Sequence, residues 1–165
     1  MGEFTEIRNK LFYMPDDICL KKLAGNLLIM AQSGQYNYPR ILNRGETASA
    51  QLALFEFSNA AKKCYFLLNG KYMPYYKWQF RALRNLPNGE FMADSLEFLI
   101  STDNSTENGN IKNEIINNIA EEIISILKQK EITKATCNDL EKHAYSVNDF
   151  IKDGSLRNTN ILIGV

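Results

Sequence analysis

Isoleucine returns every four residues at Ile111, Ile115, Ile119 and Ile123, and Ile116, Ile124 and Leu127 widen the same stripe. That period belongs to a helix with one apolar face, and it excludes a strand, whose faces alternate every second residue. The spacing predicts a long helix to about Lys130. Similar spacing runs through most of the chain. Residues 47–69 place Ala53, Phe57, Ala60, Cys64 and Leu68 on one face and Leu52, Phe55 and Phe66 on others. A helix so apolar around its circumference belongs at the centre of a bundle.

The remaining elements follow the same logic. Phe4, Ile7 and Leu11 mark a short opening helix. Pro15 suits a first helical position, with Asp16 and Asp17 at the positive end of the dipole and Gly34 as a stop. Pro39 biases Tyr38 away from helix, which predicts a loop or short broken helix over residues 35–45. A helix is expected from Pro74 through "PYYKWQFRALRNL", another over "EFMADSLEFLI", and a last one from an Asn138 cap. Residues 101–110 read as a mobile polar loop, and "ILIGV" as a helix end or strand stub. Strand-like alternation is otherwise missing. The expected fold is all-α, one helical domain over residues 1–165 built as a bundle of five to seven helices.

Composition narrows the function classes. Lys+Arg and Asp+Glu balance at 19 each, so a nucleic-acid partner is not expected from net charge. Three separated cysteines and a single histidine offer no Cys/His zinc pattern and suit a reducing, cytoplasmic setting. No stretch approaches the roughly 18 apolar residues of a membrane span. Local charge is less even. Residues 18–45 hold Lys21, Lys22, Arg40 and Arg44 with no acid, and residues 57–89 hold Lys62, Lys63, Lys71, Lys77, Arg81 and Arg84 with no acid. The chain from Glu90 onward holds 13 acids against seven cations. Two acid-free runs in one half favour an anion site there over two merely solvated faces.

No reaction is legible. The chain has no Walker-type loop and no Gly-x-Ser-x-Gly elbow. Gly154-Ser155 could open a nucleotidyltransferase motif, but the paired aspartates that would hold metal ions do not follow. No arginine precedes His143 at the spacing of helical ribonuclease toxins, and His143 reads as a surface or capping residue. The stretch "YMPYYKWQFRALRNLP" is the densest in potential contacts. In a helix, Lys77, Arg81 and Arg84 fall on one face, with Tyr75 and Trp78 beside Arg81. Cations beside such rings can grip phosphate and stack a base. The competing expectation is a core helix whose cations simply face water.

"FTEIRNKL", "MAQSGQYNYPR", "RGETASAQLAL" and "FLLNGKYMPYYKWQFRALRNLP" resemble the bacterial domain-of-unknown-function family 4037. The likeness runs over most of residues 4–90 and weakly through "FIKDGSLRNTN". The resemblance implies a helical region that follows a nucleotidyltransferase-like domain, similar in position to the helical substrate-binding lobes of antibiotic nucleotidyltransferases. It implies a lobe that is inactive alone, with Mg²⁺ and nucleotide handled together with a partner lobe, and a chain that is either a fragment or a stand-alone helical partner. Lys77, Arg81 and Arg84 are expected to hold phosphates or an acidic substrate, Tyr75 and Trp78 to stack, Arg40 and Arg44 to close the site, and Tyr72 to belong to the same ligand-binding set. The alternative is an interaction or dimerisation module that pairs its apolar faces with another helical protein or with itself. Because the aspartate pair is missing after Gly154-Ser155, the chain alone is expected to transfer no nucleotide. Labelled nucleoside triphosphates, Mg²⁺ and candidate acceptors provide the assay. Turnover that survives repurification and disappears on one point mutation would contradict this.

Overall fold

The computed structural model describes residues 5–6 and 14–165 of the chain. The expected opening helix falls outside the described residues apart from Thr5 and Glu6. The described residues form helices, turns and loops and no strand, with seven α-helices of six residues or more. The all-α bundle expected from periodicity is therefore the observed architecture. No helix among the described residues is long and apolar enough to cross a membrane.

Helix α1 (Asp16–Met30) starts after Pro15, and its two acids sit in the first turn as the dipole favours. It does not stop at Gly34. The chain widens into a π-helical stretch, Ala31–Asn37, and continues directly into α2 (Tyr38–Asn43). Pro39 supplies a physical reason. Its missing N–H and its ring are incompatible with the carbonyl four residues back, and a π-turn moves that carbonyl out of register. The expected loop is thus a continuous helical run, and the proline is accommodated rather than obeyed. Gly34 serves packing here: a Cβ at that position would collide with the Phe57 ring and stand 3.1 Å from an Ile116 methyl.

Phe57 belongs to α3 (Thr47–Leu68), the expected central helix, which buries Ala50, Leu54, Phe57, Ala61 and Cys64 completely. Around it pack α1, α5 (Gly89–Ser101) and α6 (Thr106–Gln129), while α7 (Leu140–Asp149) lies mainly against α1. One stripe of α3 stays outside the bundle. Leu52 is 68% exposed and Phe55 49%. The short α4 (Gln79–Arg84) and α8 (Gly154–Arg157) complete the set.

Three local expectations change. The polar loop before α6 is shorter than residues 101–110: α5 runs to Ser101 and α6 begins at Thr106. Asp103 accepts from the Asn108 side chain at 2.6 Å, and Asn104 donates to the Thr47 carbonyl and to Gln51. Buried Lys112 donates to the Thr102 carbonyl at 2.8 Å, placing a cation at the negative end of α5. His143 is fully buried instead of lying on the surface, because it shares the inward stripe of α7 with Leu140, Ala144 and Val147. Its Nε2 donates to the Cys137 carbonyl and its Nδ1 meets the Thr133 hydroxyl, each at 2.8 Å. The tail after α8 forms turns, not a strand. It lies on α1 where Gly25 leaves room, since a Cβ there would come within 2.8 Å of the Ile161 carbonyl oxygen.

Replacing Phe57 with Ala should cost roughly 3–5 kcal/mol, since the ring is fully buried and the rigid backbones around it limit collapse. Urea unfolding of the two proteins measures the difference, and a loss below about 0.5 kcal/mol would show that α3 is peripheral. A second expectation concerns alkali. Burial pushes the hydroxyls of Tyr38 and Tyr65 from 10.0 up to about 12, and the Cys64 thiol also rises. The unfolded chain therefore releases these protons first, and the stabilisation present below about 10 is lost as pH climbs toward about 12. Burial lowers Lys21, Lys62 and Lys112, which act with opposite sign, but only below the ordinary lysine value of 10.5. Denaturant midpoints measured from pH 9 to 12 should fall, and Tyr65→Phe should flatten the decline.

Candidate functional site

The two acid-free runs supply the cations, and the fold sorts them. Lys21 is consumed beneath the tail, donating at 3.0 Å to Asn148 and at 3.0 Å to the Thr159 carbonyl. Lys62 pins α4 to α3 through a 2.6 Å bond to Gln79 Oε1 and lies 5.1 Å from the Phe80 ring centre. Burial lowers the pKa of both lysines, as expected for ammonium groups withdrawn from water. Arg84 bridges Asp94 at 2.7 Å and Glu97 at 3.1 Å, both on α5. Sequence reasoning saw no acid between 57 and 89, but the next helix folds back and brings two.

The expected site residues do not gather at one place. Arg40 stacks over the Tyr36 ring at 3.7 Å and donates to its hydroxyl. Arg40 and exposed Arg44 lie beside the start of α3, where Tyr38 bonds Asn104 and Asn104 bonds the Thr47 carbonyl. The 72–84 segment is anchored farther along, through Lys62 to Gln79 and Tyr65 to the Pro87 carbonyl at 2.6 Å. From Thr47 to Lys62 the helix rises about 22 Å at ~1.5 Å per residue. Arg40 and Arg44 therefore do not close over Lys77 and Arg81.

The expected helix from Pro74 also begins later. Residues 71–75 belong to no helix, Tyr76–Trp78 form a 3₁₀ turn, and α4 starts at Gln79. This places Tyr75, Tyr76, Lys77 and Trp78 outside the core together, with both tyrosines 64% exposed and Trp78 53%. The Tyr75 and Tyr76 rings meet at 4.3 Å between centres, and the Arg81 guanidinium lies 5.2 Å from the Trp78 ring centre. These rings are neither a core stripe nor the walls of a closed site. They form a wet aromatic and basic strip.

Beside this strip lies a cleft of about 240 Å³. Met14, Phe66, Leu67, Met73 and Val165 give it apolar walls, and Lys22, Lys63 and Lys71 supply its cations. Tyr72, Asn26 and Gly164 complete the lining, with no side-chain carboxylate among the described residues. Lys22 comes from α1 and Lys63 from α3, so the cleft joins the two acid-free runs across the helix pair that packs at the centre of the fold. Lys22 is oriented by a 2.8 Å bond to the Gly164 carbonyl. The side chains of Lys63 and Lys71 make no hydrogen bond or ion pair to the described residues. Asn26 donates to the Lys22 carbonyl, and its Oδ1 is buried with no donor.

An apolar pocket edged by ammonium groups that no side-chain carboxylate neutralises can take an anion that carries an apolar or aromatic body. Of the residues expected from sequence, Tyr72 lies in this cleft. Lys22, Lys63 and Lys71 belonged to the noticed charge runs, but nothing in the sequence separated them from Lys21 and Lys62, which the fold consumes. Among the described residues no group of three or more His, Cys, Asp or Glu is placed to hold a metal ion.

No curated protein and no solved structure matches the chain. Residues 1–79 match a family model described as "Domain of unknown function (DUF4037)". The match takes in α1, α2, α3 and all four of Lys22, Lys63, Lys71 and Tyr72, and stops before Arg81 and Arg84. Over residues 1–79 this chain resembles the DUF4037 family.

Proposed function

We propose that this chain is a helical lobe that binds a nucleotide or another acidic small molecule and works beside a nucleotidyltransferase-like lobe, without carrying out chemistry alone. One observation carries the reading: Lys22, Lys63 and Lys71 edge an apolar cleft that no side-chain carboxylate lines among the described residues. An anion bound in the cleft would meet positive charge contributed by three separate stretches of the chain. The phosphate-holding role first expected of Lys77, Arg81 and Arg84 moves to this cleft. Arg84 is already neutralised, and Arg81 is stacked on Trp78. In this reading Tyr72, which lines the cleft, offers a ring to the ligand, while Tyr75, Lys77 and Trp78 form the approach. Any Mg²⁺ would be bound by the partner lobe.

A second reading rests on a different surface. Leu52 and Phe55 stand exposed on the most buried helix, and Tyr75, Tyr76 and Trp78 are exposed beyond its far end. Tyrosine, tryptophan and arginine are the residues that most often anchor protein interfaces. Under this reading the chain is an interaction module.

Calorimetric titration with a panel of nucleotides and acidic metabolites separates the two. Charge-assisted contacts are worth about 1.5–3 kcal/mol when sheltered, and less where the lysine is exposed, as Lys71 is. The double variant Lys63→Ala/Lys71→Ala should bind about tenfold more weakly or worse, with its melting temperature unchanged. Absence of binding at millimolar ligand, or equal binding by the variant, would reject the cleft. Concentration-dependent self-association in the same samples, abolished by Phe55→Ser, would favour the interaction module.

A further inference from the structure

Resting on the anion-binding reading, we infer that the cleft takes its nucleotide free of metal, as a mono- or diphosphate, with the ring system against the apolar wall and the bare phosphate on the lysines. Magnesium demands hard oxygen ligands and is normally held by one or two carboxylates together with substrate phosphates. The lining offers three ammonium groups, whose charge opposes a second cation, and no side-chain carboxylate among the described residues. Asp16 lines an adjoining space that shares Met14, Leu67, Lys71 and Tyr72 with this cleft, but it is not among the cleft's own lining residues.

Charge and size agree on the ligand. A phosphate monoester carries about −1.5 to −2 at neutral pH, and a diphosphate about one charge more, which three lysines can balance. A space of about 240 Å³ accommodates a ring system, with the phosphates outside it on the lysines. Met14, Phe66, Leu67 and Met73 supply apolar contact for that ring, and half-exposed Tyr72 presents a face at the mouth. Lysine suits such a role because its ammonium is a mobile point charge that follows a phosphate without a fixed fork geometry. A lobe of this kind selects for the phosphate state that has shed its Mg²⁺.

Isothermal titration of the full chain with ADP, AMP and pyrophosphate, each in EDTA and in excess Mg²⁺, tests this. ADP in EDTA should bind, and excess Mg²⁺ should weaken it at least threefold. Lys63→Ala and Lys71→Ala should each weaken ADP about fivefold in EDTA, while Arg84→Ala, which sits outside the cleft, should not. Tyr72→Leu should weaken ADP and AMP more than pyrophosphate, which has no ring to place. Equal or tighter binding in Mg²⁺, with the lysine effects intact, would overturn the metal-free inference and leave the anion cleft standing. No binding of any of the three ligands in EDTA would overturn the cleft and the inference together. Thermal melts of each variant confirm that folding is not the cause.

Discussion

The contact between the Phe57 ring and the backbone at Gly34 holds the rest of this structure in place. A side chain at residue 34 would push α3 away from the π-helical end of α1, and the two helices would part. Because they do not part, the central helix can bury Ala50, Leu54, Ala61 and Cys64 against its neighbours as well as Phe57. Close packing of this sort tolerates little change in volume, which makes the position of every attached element a consequence of it. The π-helical stretch has its own cause in Pro39. A proline that should have broken the helix instead widened it, and the widened turn is the surface that receives Phe57.

The same helix pair builds the candidate site. Lys22 and Lys63 are 41 residues apart in sequence and face one cleft because α1 and α3 pack along each other. The fold spends its other cations on architecture. Lys62 ties α4 to α3, Lys21 holds the tail, Lys112 meets the end of α5, and Arg84 bridges two acids. A buried lysine bonded to neutral acceptors costs desolvation, as the lowered pKa values of Lys21, Lys62 and Lys112 indicate. It returns directional bonds that a solvated lysine cannot make. The lysines left without partners are therefore the informative ones.

The aromatic strip from Tyr72 to Trp78 is a different kind of surface. Its rings are exposed because residues 71–75 lie outside any helix and leave the core behind before α4 begins. Pro74 contributes by restricting the residue before it to extended backbone. Tyrosine and tryptophan tolerate such exposure because each keeps a polar handle in water. The strip leads from the Tyr72 edge of the cleft along one side of the molecule, so a ligand or a partner that approaches the cleft from that side meets rings first.

Sequence periodicity alone determined the fold class, the central helix and the long α6, because a helix with one dry face writes its period directly into the order of residues. The Thr47 start of α3 was legible for the same reason. It also revealed two acid-free runs, since composition is visible without coordinates. Which cations those runs leave free was decided only in three dimensions. Arg84 finds Asp94 and Glu97 on another helix, His143 turns inward, Arg40 and Arg44 lie at the opposite end of α3 from Lys77, and Lys22 meets Lys63 and Lys71. Each of these depends on how helices cross and which faces they share. A one-dimensional pattern carries the period of a helix but not the rotation and depth at which it packs against its neighbours.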